Sequence, residues 1–99
     1  MSIVNYVSGT KTVTTAGSRE QLTTGKTLIN GIWVSADMGN TNPVVVGDEN
    51  VVAAAGFQRG VVLIPGNNSV FLAFDDLSRV YVDAITNGDK LCYTYVAGL

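Results

Sequence analysis

Histidine is absent from the 99 residues, and cysteine occurs once. Without an imidazole the chain builds no Ser-His or Cys-His nucleophile pair and no histidine metal ligand. One cysteine makes no internal disulfide, which excludes a disulfide-stapled secreted module and fits assembly in a reducing cytoplasm. Charge is scarce too: only 14% of residues carry one, against about 25% in ordinary soluble domains. The six Lys and Arg are scattered, so they offer no basic patch to nucleic acid. The longest apolar runs are four or five residues, far short of the ~20 that span a bilayer. The opening "MSIVNYVSGTK" has neither a charged start nor a long apolar stretch, so no signal peptide is expected.

What is present is apolar and β-prone. Hydrophobic residues make up 46%, with many Val, Thr, Asn and Gly. Strand and turn signals recur every ten residues or so. "KTVTTAG" places Val13 between threonines, and "EQLTTGK" carries Leu22 into a Thr-Gly turn. "TLINGIWVSADM" reads as a longer strand with Leu28, Ile32 and Val34 inward and a bend at Asn30-Gly31. Pro43 enters a short apolar strand that Gly47-Asp48 leaves, and Pro65-Gly66-Asn67-Asn68 separates two further apolar runs. "NVVAAAGF" is the only stretch with helical character, and Gly56 makes it too short to stand alone. The pattern predicts one all-β domain over residues 1–99, a small antiparallel β-sandwich or barrel of about seven to nine short strands. Val44–Val46, Val61–Ile64 and Val70–Phe74 alternate poorly. They are expected to be covered on both faces, in part by another subunit.

The clearest local signal is "SRVYVDAITNGDKLCYTYV", residues 78–96. Asn87-Gly88 suits a type I′ turn, which predicts a hairpin with Ala84 opposite Leu91, Val82 opposite Tyr93 and Val80 opposite Tyr95. Those six then share one apolar side. Arg79, Tyr81, Asp83 and Ile85 share the other with Val96, Thr94, Cys92 and Lys90.

The candidate chemistry is thin. Asp37, Asp75, Asp76, Asp83, Asp89 and the Asp48-Glu49 pair are the carboxylates to consider. A glycosidase needs two carboxyls facing across a cleft, whereas Asp75 and Asp76 are neighbours that point to opposite sides. "GDEN" is turn composition. The chain therefore reads as a non-enzyme with no cofactor. "DMGNTN" and "GDEN" carry hard oxygen ligands suited to Ca²⁺, but neither has EF-hand spacing, and Asn and Asp are also ordinary turn residues. Trp33 is either a half-buried core aromatic or a sugar-stacking platform joined by Tyr6 and Tyr81. Nothing near Cys92 in sequence activates a thiolate, so it reads as a small core or interface residue.

Taken in order, "KTVTTAG", "QLTTG", "NTNPVVVGDENV" and "GVVLIPGNNSVFLAFDDLSRVYVDAITNGDKLCYTYV" resemble a group of small bacteriophage virion proteins. Their pattern runs V-T-T-A-G, N-T-G-x-V-x-V-G-D, L-x-P-G-x-S and D-L-S-x-V-Y-V-D-A-x-x-N-G-D. The likeness covers Lys11 to Val96 and departs at "NTNP", where the pattern reads N-T-G. It implies a virion structural protein, foremost a capsid decoration (cement) protein on the outer capsid surface that stabilises the head. The partners implied are the major capsid protein and further copies of the chain, as a homotrimer at a symmetry axis. Neither nucleic acid nor membrane is expected as a partner. The resemblance also implies assembly in the host cytoplasm and a final place on the virion's capsid surface. The alternative is a tail or fibre accessory domain that binds host surface glycan, and a cellular carbohydrate-binding module ranks third. An exposed Trp33 with Tyr neighbours favours glycan, and a buried one the structural role. The expected subunit or capsid contacts are Ile3, Val4, Tyr6, Val7, Phe71 and Tyr81. Residues 1–9 are either an arm hinged at Ser8-Gly9 or an ordinary first strand.

Overall fold

A computed structural model describes residues 5–97, so Ile3 and Val4 lie outside the described residues. The described residues run through ten strands: β1 (Asn5–Thr12), β2 (Glu20–Gln21), β3 (Ile32–Ala36), β4 (Val44–Gly47), β5 (Val52–Ala54), β6 (Phe57–Arg59), β7 (Val61–Leu63), β8 (Val70–Leu72), β9 (Tyr81–Ala84) and β10 (Lys90–Ala97). One 3₁₀ turn, Leu77–Arg79, precedes β9. The count slightly exceeds expectation because β2 is a two-residue pairing and "NVVAAAGF" folds as the β5–β6 hairpin.

The strands form a β-sandwich. Its front sheet has the order β1-β10-β3-β8 and its back sheet β2-β9-β4-β7. Every pairing among the described strands is antiparallel. Alternation decides which side chains enter the space between the sheets. On β3, Ile32 and Val34 are fully buried while Trp33 between them is exposed. Val44, Val46, Leu63, Val82 and Ala84 face them from the back sheet, with Leu91 completing the core from the front. Each such Val, Leu or Ile side chain contributes roughly 1.5–3 kcal/mol of burial free energy.

The C-terminal segment corrects the hairpin expectation. β9 pairs with β2 and β4, whereas β10 pairs with β1 and β3, so the two strands belong to opposite sheets. The alternation was nonetheless legible: Val80, Val82, Ala84 and Leu91 are core residues, with Tyr93 and Tyr95 packed against them. They meet across the sandwich instead of along a ribbon. The connecting turn is closed by Asp89 N–H donating to Thr86 O at 3.3 Å. Gly88 has φ +89°, and among the described residues no non-glycine has positive φ. That sign pattern belongs to a type II turn, not type I′.

Three further expectations change. The back sheet's outer face is covered by the chain's own β5–β6 hairpin, where Val51 and Ala53 pack on Val45. Val44–Val46 are therefore buried on both sides without a second subunit. By contrast Val62, Ile64, Val70 and Phe71 are 37–51% exposed. β7 and β8 are sheet edges covered on one side only. Leu28 turns outward and Ile29 takes its place in the core, because the bend at Gly31, with φ +94°, shifts the alternation by one residue. Finally, Tyr6 to Gly9 lie inside β1, whose ladder with β10 runs unbroken from Asn5↔Ala97 to Thr12↔Lys90. Ser8-Gly9 is mid-strand, not a hinge, so residues 5–9 are first strand and not arm.

Candidate functional site: an open flank and an open face

The two flanks of the sandwich differ. Where β1 lies over β2, Lys11 Nζ meets Glu20 Oε1 at 3.1 Å. Nearby, Val13 N–H donates to Asp89 O and Gly17 N–H to Ala84 O. Glu20 Oε2 also accepts from the N–H of Thr14 and Thr15 and from the Thr14 hydroxyl. Burial pushes the Glu20 carboxyl up. The Thr15 N–H, the Lys11 ammonium and the Thr14 donors outweigh it and hold the group below its ordinary 4.5. That flank is tied shut.

The opposite flank, where β8 lies over β7, is open and apolar. A cleft of about 310 Å³ there is lined by Gly47, Val61, Leu72, Ala73 and Phe74. Farther along the same two strands, outside the cleft's lining, Val70 at the start of β8 and Ile64 just past β7 expose 37% and 51% of their surface. Among the described residues no strand pairs with the outer edges of β7 and β8. Unpaired edges next to apolar surface are where a sheet protein meets another chain.

The outer face of the front sheet is the second open surface. Ser8, Thr94, Trp33 and Phe71 form one row across it, by the pairings Ser8↔Thr94, Thr94↔Trp33 and Trp33↔Phe71. The Ser8 and Thr94 hydroxyls are hydrogen-bonded at 2.9 Å. The Trp33 and Phe71 rings lie 4.9 Å apart and tilted by 58°. Phe71 sits over Gly31 so closely that no Cβ fits there, which is why the bend needs glycine. Beside this row are two shallow depressions of about 260 and 520 Å³, which share Ser35, Ser69 and Cys92. Asp37, Met38, Asn67 and Asn68 line the larger one.

The expected contact residues do not form one patch. Tyr6 and Phe71 share the front sheet's outer face but sit on its opposite edge strands, with β10 and β3 between them. Val7 points to the other side of β1. Tyr81 is in the back sheet, packed against Val45, Val51 and Ala53, so it cannot join Trp33 as a stacking platform. It lines instead a polar cleft with Gln21, Asp48, Glu49, Ser78 and Arg79. The residues missed are Ile64 and Val70 on the flank and Ser35, Ser69, Asn67 and Asn68 on the face. "PGNNS" was legible as a turn, but nothing in it said which surface the turn borders.

The carboxylates serve the backbone. Asp83 Oδ1 accepts from Gly17 and Ala84 N–H at 3.0 and 2.8 Å, and its Oδ2 from Ala53 N–H at 2.9 Å. Asp89 accepts from Thr41 and Asn42 N–H, which fixes the "NTNP" turn. Asp76 is buried beside an exposed Asp75. Burial pushes the Asp76 carboxyl up, but the Ser78 hydroxyl and N–H, Thr27 N–H and Lys26 hold it below 3.8. In "DMGNTN" and "GDEN", Asp37 and Asp48 accept from the N–H two residues on, as turn-forming side chains do. Among the described residues no three acidic or cysteine side chains cluster to hold a metal ion. Cys92 is half-buried on the front face, not in the core, with Sγ 3.7 Å from Asp37 Oδ1. Burial and the Asp37 charge raise its thiol above 9.0. No protein-family model, curated protein or solved structure matches the chain.

Proposed function

We propose that this chain is a non-enzymatic bacteriophage virion structural protein, a capsid decoration protein that docks on the outer capsid surface and stabilises the head. The ordered motifs from Lys11 to Val96 bring the virion class. The observation that carries the docking is the asymmetry of the flanks. One is closed by the Lys11–Glu20 pair, while the other holds an apolar cleft at one end of β7 and β8 and exposes Ile64 and Val70 toward the other end of those strands. A closed sandwich with a single adhesive flank suits attachment to a larger lattice. Copies gathered around a threefold axis, as the resemblance implies, would bring their open flanks onto the capsid together.

The test uses capsids stripped of this protein. The purified chain should co-sediment with them and raise their disruption temperature. Ile64→Asp changes a half-exposed side chain just past β7, so it should leave the melting temperature of the free protein nearly unchanged while abolishing co-sedimentation. Val70 lies opposite core Val34, and the near-isosteric Val70→Thr should weaken co-sedimentation without unfolding the strand. If the unaltered protein ignores capsids, the reading fails. If both variants bind normally, the flank is not the contact.

A further inference from the structure

We propose that the groove on the outer face of the front sheet binds a neutral oligosaccharide chain. This goes beyond the capsid contact, because it concerns a surface that the flank leaves free.

The groove has the two chemistries a sugar needs. At one end Trp33, 46% exposed, lines the groove, and Phe71, 45% exposed, stands next to its ring outside the lining; together they offer aromatic surface to the C–H faces of a pyranose ring. From there the floor runs over Ser35 and Ser69 to the exposed Asn67 and Asn68. The side-chain amides of Asn67 and Asn68 make no hydrogen bond with the described residues. Each amide keeps a donor pair and an acceptor available, the complement of vicinal hydroxyls. An exposed Trp mid-strand, between two fully buried neighbours, is costly surface that a ligand would cover.

The walls are fixed before a ligand arrives. Asn67 N–H closes the Pro65-Gly66 turn onto Ile64 O at 3.1 Å. On the other side the loop that carries Asp37 and Met38 is anchored just beyond the groove, where Asn40 grips Lys90 twice, with Nδ2 to the carbonyl at 2.8 Å and Oδ1 from the N–H at 2.7 Å. Binding thus costs little ordering of the protein. Charge then selects the ligand class. Asp37 is the only ionised side chain lining the two depressions. The Lys90 ammonium, close enough to act on Cys92, lies outside the lining, and the carboxylate inside it faces the ligand, so neutral hexose or N-acetylhexosamine chains are favoured over sulfated, sialylated or uronic-acid ones.

Trp33 is the sole tryptophan, so its emission, excited to the red of the tyrosine absorption band, reports on this groove alone. The full chain is titrated with hexasaccharides of α-1,4-glucose, β-1,4-glucose, mannose and N-acetylglucosamine, and with a hexagalacturonate as the acidic control. At least one neutral chain should shift and saturate the emission at millimolar concentration or below, and the acidic one should not. The Asn67→Ala/Asn68→Ala double variant should lose roughly tenfold or more in affinity while melting as the parent does. Silence with every neutral hexasaccharide overturns the proposal, as does an unchanged affinity in the double variant. Failure here is distinct from failure of capsid docking. Ile64→Asp should abolish co-sedimentation and leave the sugar response intact. If capsids instead shield Trp33 from acrylamide quenching and no sugar responds, the face belongs to the docking surface and holds no glycan.

Discussion

Asp83 reaches out of β9 to take the N–H of Ala53 at 2.9 Å, tying the β5–β6 hairpin to the outer face of the back sheet. Asp83 is 1% exposed, and its other oxygen holds Gly17 and Ala84. Removing it strands buried N–H groups without an acceptor. Asp83→Ala should cost about 3 kcal/mol. Urea unfolding measures it, and a cost below about 1 kcal/mol would mean that the hairpin is held by Val51 and Ala53 alone.

Gly88 sits at positive φ with nothing within 4 Å of where a Cβ would be. The penalty for a side chain there is conformational and not steric. Gly88→Ala should lower stability by about 1 kcal/mol, and Gly88→Val by somewhat more. Thermal melting shows the difference, with a fall of roughly 4–8 °C per kcal/mol for a domain of this size. An unchanged melting temperature in both variants would show that the turn tolerates a different backbone.

Glu20 makes the closed flank acid-sensitive. Its folded-state carboxyl lies below the ordinary 4.5, so the unfolded chain takes up its proton first as pH falls. The stabilisation is whole above about pH 4.5 and is lost as pH drops through the folded value. Asp76 acts in the same sense from 3.8 downward. Chemical unfolding between pH 7 and pH 2.5 should show this loss, and Glu20→Gln should flatten its upper part. An identical slope in Glu20→Gln would remove Glu20 from the account.

Cys92 should be a slow thiol. Its raised value means less thiolate at pH 8 than a free cysteine has. Alkylation by iodoacetamide should lag behind that of a free cysteine, and Asp37→Asn should accelerate it by removing the charge beside Sγ. Equal rates in Asp37→Asn and the parent would leave burial as the sole cause.

The sequence carried the sandwich and its inward residues but not the strand partners, and the reason is physical. Alternation in 80–84 and 91–95 is local, so Val82 and Leu91 were legible as core. Whether β9 pairs with β10 or with β4 depends on which neighbours offer a better ladder across the whole chain. The same holds for coverage. Val44–Val46 and Val61–Leu63 look alike as strings, yet the hairpin happens to cover the first and leave Val62 exposed. Trp33 read more readily as a half-buried core aromatic than as a platform, and only the distinction between the sheet's two faces put it on the outer one. The candidate groove draws on the turn at 65–68 and on β3, segments more than 25 residues apart in sequence, and no local pattern joins them.

The β1–β10 ladder places Asn5 opposite Ala97 at one end of the molecule. A load applied between those two residues would fall on the ladder's last bond, then on the next, peeling β1 away stepwise. Strands pulled from opposite ends would share the same load over all their bonds at once. The domain is thus mechanically soft along the line joining its ends, whatever its thermal stability. Single-molecule stretching from residues 5 and 97 should give a low, gradual yield, and stretching from positions at opposite poles a higher and sharper one.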